Sequence, residues 1–150
     1  MAYANLIYEK HGGIARITIE GPKVMNALSP AALSELKLAM EEASSDDDIR
    51  IVVLTGAGRA FSAGRDLVSL GDLLPSQDDE LEKEGVKSIL DDPGKDIIDT
   101  MLTMPKVVIA MVNGYCLTGA LEILLGCDLI VASEEANSTM NMGGLSVSCR

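Results

Sequence analysis

Basic side chains are scarce in this chain: 12 Lys and Arg stand against 23 Asp and Glu, and the 150 residues carry a formal charge of −11. A sequence-independent grip on nucleic acid needs Lys and Arg to displace counterions from phosphates, so the balance argues against that class of function. It argues equally against docking on an anionic membrane. The deficit is uneven, because nine of the acids lie between Gln77 and Asp99 and leave room for local basic sites elsewhere. Histidine occurs once, and Cys116, Cys127 and Cys149 are odd in number and lack metal-ligand spacing. The expectation is three free thiols in a reducing compartment, the cytoplasm, and no metal centre. No uninterrupted apolar run approaches the ~18 to 20 residues that would span a bilayer. The opening MAYANLIYEKHGG has neither a charged start followed by a long apolar run nor an Arg-rich amphipathic pattern, so no targeting segment is read there. Phosphate-binding loops are missing as well. No Gly-Lys-Ser/Thr occurs, and GAGRAF begins as G-x-G but has Phe61 where the third glycine of a dinucleotide fingerprint belongs.

What is present is enough apolar material for a core, 47% of residues, in a length that suits one domain over residues 1–150. LIYEKHGGIARITIEG alternates on both sides of His11-Gly12-Gly13, the pattern of a hairpin with a solvated His11 at its turn. In NALSPAALSELKLAMEEASS, Ser29 can cap a helix, Pro30 suits its first turn, and Leu33, Leu36, Met40 and Ala43 share a face. DDDIRIVVLTG runs from an acidic turn into a buried strand over 51–55. GAGRAFSAGRDL is a glycine-rich turn of the sort that opens a helix. The polar, acidic region from Leu70 to Asp99 reads as a mobile loop with short helical pieces, outside the core. KVVIAMVNGYC is a second buried strand ending at Asn113-Gly114, LTGALEILLGC a helix, and DLIVAS a third strand. Strands that alternate with helices and read as apolar runs predict an α/β domain with parallel pairing.

Ligands collect at the carboxyl ends of strands in such sheets. Two glycine-rich turns stand there, SAGRD and NGYCLTG, where backbone N–H groups can approach an anion or a polarised carbonyl. In NGYCLTGALEILLGCD, Glu122 sits in an apolar helix with no Lys or Arg in the same sixteen residues. That is the pattern of a solvent-facing glutamate or of a functional one.

PKVMNALSP, GAGRAFSAGRDL and PKVVIAMVNGYCLTGALEILLGCDLIVAS resemble, in order and spacing, the crotonase superfamily, the enoyl-CoA hydratase/isomerase family. The resemblance extends to about Ala136. It implies a spiral of ββα units and an acyl-CoA thioester as ligand, with coenzyme A entering as part of the substrate and no separate cofactor. Carried over by position, it implies an oxyanion hole made by the backbone N–H groups of Arg65 and Gly119. Glu122 then matches the first catalytic glutamate, which transfers a proton. PKVMNAL and FSAGRDL resemble the segments that hold the CoA moiety, making Lys23, Val24, Ala63, Gly64, Asp66 and Leu67 candidate contacts.

Three departures accompany the resemblance. Met142 occupies the position of the family's second glutamate, and the neighbouring Glu134 and Glu135 read as solvated. Arg65 stands where a small residue is more usual, and its side chain could crowd the acyl pocket, meet a substrate carboxylate, or lie exposed. The chain also stops before the family's C-terminal helical region, which helps close the acyl pocket and build trimers. The reading is therefore an enoyl-CoA hydratase or isomerase. Its alternative is a non-catalytic CoA-binding or self-associating remnant, and a homo-oligomer, trimer or hexamer, is expected in either case.

Overall fold

The structure, a computed structural model, describes residues 3–66, 93–142 and 145–149, with side chains over 3–66 and 94–138. Alternation and the Gly12-Gly13 turn produce the expected antiparallel hairpin of β1 (Leu6–His11) and β2 (Ile14–Ile19), in which His11 pairs with Ile14 and is exposed. The next strands add in parallel: β3 (Ile51–Gly56), β5 (Val107–Val112) and β7 (Leu129–Ala132) complete a five-stranded sheet in the order β1-β2-β3-β5-β7. The register sets Ala15, Val52 and Val108 in one row and Ile17, Leu54 and Ala110 in the next. All six are fully buried.

Helix α1 (Pro30–Ser45) covers that face. It begins where the sequence places it: the Ser29 hydroxyl accepts from the Ala32 N–H at 3.2 Å, and Pro30 stands at the first helical position. The expected face of Leu33, Leu36, Met40 and Ala43 is buried and is widened by Ala32 and Ala39. Each large apolar side chain so buried contributes ~1.5–3 kcal/mol. A second helix, α2 (Pro93–Thr103), packs against α1 and buries Ile97 and Met101. This corrects the placement of the acidic segment outside the core. Its last part is helical because Ile97 and Met101 lie one turn apart on one face, while Asp96 and Asp99 turn away into solvent. Positions 70–92 of that segment lie outside the described residues.

The strand expectations need two further corrections. β5 buries Val108, Ala110 and Val112 but leaves Val107 and Met111 on an open face, and every residue of β7 is exposed. An apolar run thus marks a parallel strand without assuring burial on both faces. A second sheet, in the order β4-β6-β8-β9, is built from β4 (Ala60–Ser62), β6 (Tyr115–Leu117), β8 (Asn137–Met142) and β9 (Leu145–Cys149). Tyr115–Leu117 is therefore extended, and the helix expected from Leu117 to Cys127 is the shorter α3 (Gly119–Leu124). Among the described residues no helix is long and apolar enough to cross a membrane.

Candidate active site

The two glycine-rich turns meet because of the second sheet. β4 and β6 are adjacent parallel strands, with Ala60 opposite Tyr115 and Ser62 opposite Cys116. Parallel neighbours end on the same side, so the loop after Ser62 and the loop after Leu117 emerge together. SAGRD leaves β4 and not β3, whereas NGYCLTG begins at the end of β5 as expected, contains β6, and its Thr118-Gly119 end leaves that short strand.

Contact between the loops is close. Gly64 has φ 86°, and a Cβ built on it would stand 2.2 Å from the Thr118 hydroxyl and 2.6 Å from the Leu117 carbonyl oxygen. Only glycine fits there, on backbone conformation and on space alike. Arg65 forms a parallel bridge with Leu28: the Leu28 N–H donates to the Gly64 carbonyl at 2.8 Å, and the Asp66 N–H donates to the Leu28 carbonyl at 3.2 Å. Strand geometry then turns the N–H of Arg65 itself to the opposite edge, toward α3. A Cβ built on Gly119 would lie 3.5 Å from that nitrogen. Gly119 is the first residue of α3, where a helix N–H has no partner from its own backbone. Arg65 and Gly119 thus present neighbouring backbone nitrogens, and Glu122 rides on the same helix one turn along.

Positions 65 and 66 alternate, and they line different clefts. Arg65, Gly119 and Glu122 border a crevice too tight to admit a water molecule, whose apolar walls include Leu28, Leu33, Ile98 and Ile123. Val24, Ala27 and Asp66 border another of about 130 Å³. Lys23 and Val24 are exposed on the 3₁₀ turn Pro22–Val24, and Val24 borders the second cleft; Ala63 and Gly64 lead into Arg65 and line neither cleft. Leu67 lies outside the described residues. Glu122 is exposed, and its carboxylate makes no ion pair among the described residues. Glu134 and Glu135 are exposed, and Met142 is the last residue of β8, opposite Leu145. Burial pushes the thiols of Cys116 and Cys127 up to about 12, so both are protonated and unreactive at neutral pH.

Three polar residues that the sequence reading did not single out hold the loops in place. Asn26 is buried with φ 57°; its amide nitrogen donates to the carbonyls of Ala57 (2.9 Å) and Ala60 (2.8 Å), and its amide oxygen accepts from the Gly21 N–H (2.9 Å). Ser62 donates to the Asn26 carbonyl at 2.8 Å and accepts from the Gly64 N–H at 3.0 Å, fixing the residue before Arg65. Asn113 joins β5 to the turn after β3, donating to the Gly58 carbonyl (2.8 Å) and accepting from the Gly56 N–H (3.2 Å). The available signal was Asn26 between Met25 and Ala27-Leu28 in PKVMNAL, since an amide buried among apolar neighbours needs several partners.

The sequence matches the family model described as Enoyl-CoA hydratase/isomerase over residues 9–145. It is 34% identical over 148 residues to the short-chain-enoyl-CoA hydratase of Clostridium acetobutylicum, covering 98% of this chain and 53% of that protein. It is 32% identical over 148 residues to the crotonyl-CoA hydratase of Syntrophomonas wolfei, covering 98% of this chain and 54% of that one. The fold superposes on an enoyl-CoA hydratase/isomerase from Xanthobacter autotrophicus Py2 with a TM-score of 0.82 and 34% identity, over 93% of this chain and 49% of that structure. The chain spans about half the length of the relatives it matches. A match running from β1 to β9, on a fold that solved proteins of the same description share, makes this chain a member of the enoyl-CoA hydratase/isomerase family.

Proposed function

We propose that the chain binds an acyl-CoA thioester across the Ala63–Asp66 loop and stabilises an enolate formed from its acyl group. The observation that carries this reading is the close approach of Arg65 to Gly119, the first residue of the helix that bears Glu122, with a Cβ built on Gly119 lying 3.5 Å from the Arg65 nitrogen. When a proton leaves the carbon next to a thioester, or a nucleophile adds across the conjugated double bond, negative charge gathers on the thioester oxygen. Two fixed N–H donors aimed at that oxygen lower the barrier, each by ~3 kcal/mol where such donors have been removed singly. Glu122, bordering the same cleft, takes the proton from one carbon of the acyl chain and returns it to another, shifting the double bond. With a positioned water it instead supports addition of hydroxyl and hydrogen across that bond. The second cleft, beside Lys23, Val24 and Asp66, accepts the CoA portion.

A second reading rests on Met142. A thioether cannot exchange a proton, so two-carboxylate hydration has no second partner at that position, and a CoA-binding module without turnover is the alternative. Crotonyl-CoA hydration and 3-enoyl-CoA isomerisation, followed spectroscopically, separate the two. Measurable CoA binding with no turnover selects the binding module. For the enzyme, Glu122→Gln keeps the fold and thioester binding while turnover falls by ~10²-fold or more. Unchanged turnover in the folded variant would remove Glu122 from the chemistry.

A further inference from the structure

Ser62, the last residue of β4, is fully buried, yet its hydroxyl governs the loop that follows it. Its one proton goes to the Asn26 carbonyl at 2.8 Å, and its oxygen accepts from the Gly64 N–H at 3.0 Å. Asn26 is itself anchored, because its side-chain amide bonds Gly21, Ala57 and Ala60. On the far side of Gly64, the carbonyl accepts from the Leu28 N–H at 2.8 Å. Both peptide groups of Gly64 are thus tied to the segment from Asn26 to Leu28. In a planar trans peptide the N–H points opposite to the C=O, so holding the Gly64 carbonyl on Leu28 aims the Arg65 N–H at α3. The Arg65 stem leaves on the same side and lies across Gly119, where a built Cβ would stand 3.0 Å from Cγ and 3.5 Å from the backbone nitrogen.

We infer that Ser62 is a positioning residue for the backbone donor of Arg65, acting through Gly64 and without touching the ligand. The inference rests on the acyl-CoA reading above. Gly64, at φ 86°, has no side chain to limit its rotation, so the direction of the next N–H depends on what bonds the glycine. Without the hydroxyl, the Gly64 N–H and the Asn26 carbonyl lose a bond in the interior, and the peptide turns to recover partners. The Arg65 N–H, one peptide further on, turns with it. Stabilisation of a developing oxyanion depends on donors that are already aimed, so a misdirected N–H loses its effect while the contacts that hold the rest of the ligand survive.

Isotope-edited infrared spectra of bound butanoyl-CoA, labelled at its thioester carbonyl, read the donors directly, because hydrogen bonds to that oxygen lower its stretching frequency. A saturated acyl group has no double bond to hydrate or shift, so the readout does not need turnover. Spectra are compared for the intact chain, Ser62→Ala and Ser62→Cys, with calorimetry giving the affinity and circular dichroism the fold of each. The carbonyl is expected to shift down on binding to the wild type. In Ser62→Ala that shift falls by about half, one of two donors being misaimed, while affinity stays within about twofold. Ser62→Cys, whose thiol donates and accepts more weakly, keeps part of the difference and decides alone if Ser62→Ala does not fold. An undiminished shift in a folded variant overturns the inference and leaves the acyl-CoA reading standing. An affinity lowered about tenfold or more also overturns it, because the hydroxyl would then support the binding site as a whole. Failure of both variants to fold overturns it as well, assigning Ser62 to stability alone. A wild-type chain that binds the thioester without shifting its carbonyl, or does not bind it, defeats the acyl-CoA reading, and the inference falls with it.

Discussion

Thr118 holds φ 45° and ψ −116°, a conformation that a β-branched residue adopts only under constraint. The constraint is visible: its hydroxyl reaches the Ala63 carbonyl at 3.4 Å, and its backbone must turn β6 into α3 within one residue so that Gly119 faces Arg65. Strain of this kind costs ~1–3 kcal/mol and is offset by the packing around it. Glycine removes that strain, at the expense of ~0.5–1 kcal/mol of added freedom in the unfolded chain. Thr118→Gly should therefore stabilise the fold by ~1 kcal/mol, raising the midpoint of thermal unfolding by a few degrees. A lowered midpoint would show that the threonine side chain contributes more than its backbone costs.

At the scale of elements, the corner between β1 and α1 is an electrostatic joint. Lys10 on β1 pairs with Asp46 at 2.8 Å and Glu42 at 3.2 Å, and it lies 5.4 Å from the centre of the Tyr8 ring. The Tyr3 hydroxyl adds a bond to Glu42 at 3.1 Å. The bond from Lys10 holds Asp46 below the usual carboxylate range. Glu42 ends lower too, because bonds from Lys10 and Tyr3 outweigh the burial that pushes it up. Carboxyl groups depressed in the folded state contribute stability that is present above their unfolded values, near 4, and is lost as the pH falls through the folded ones. Lys10→Met should accordingly flatten the acid side of a plot of unfolding midpoint against pH. A slope below pH ~4 equal to that of the wild type would assign the acid sensitivity elsewhere.

The same elements show what a sequence makes legible. The β1–β2 hairpin and α1 could be read because turn glycines, a capping serine and a one-faced apolar stripe are local signals. β4 and β6 could not, since three residues carry no periodicity and their extended form comes from pairing between segments distant in the chain. Ile97 was obscured by the acids around it, although its burial depends only on its spacing from Met101. The meeting of Arg65 with Gly119 was legible through resemblance; the arginine stem lying across the glycine was not, because side-chain direction depends on the bridge to Leu28.

For the whole molecule, the five-stranded sheet has one face packed under helices and one partly bare. Val107 and Met111 of β5 and Leu129, Ile130 and Val131 of β7 are 40–58% exposed, and β7 is the sheet's outer strand among the described residues. Apolar surface collected on an edge favours association. We propose that copies of the chain associate, in keeping with the oligomer that the family resemblance implies. Light scattering at micromolar concentration should report a mass above 15.8 kDa, and a monomer would rule the association out.

The order in which the strands pair also sets a tempo for reaching this structure. β1 finds β2 across a two-residue turn, whereas Ile14 must find Ile51, and Ile51 must find Val107, before the central rows of the sheet exist. Closing such long loops costs entropy before any contact repays it, so topologies of this kind fold slowly and assemble outward from their most local piece. In pulsed hydrogen exchange during refolding, amides of the β1–β2 hairpin should be protected ahead of those linking β3 to β5. Simultaneous protection of both would mean that the distant pairing, and not the hairpin, is where the chain begins.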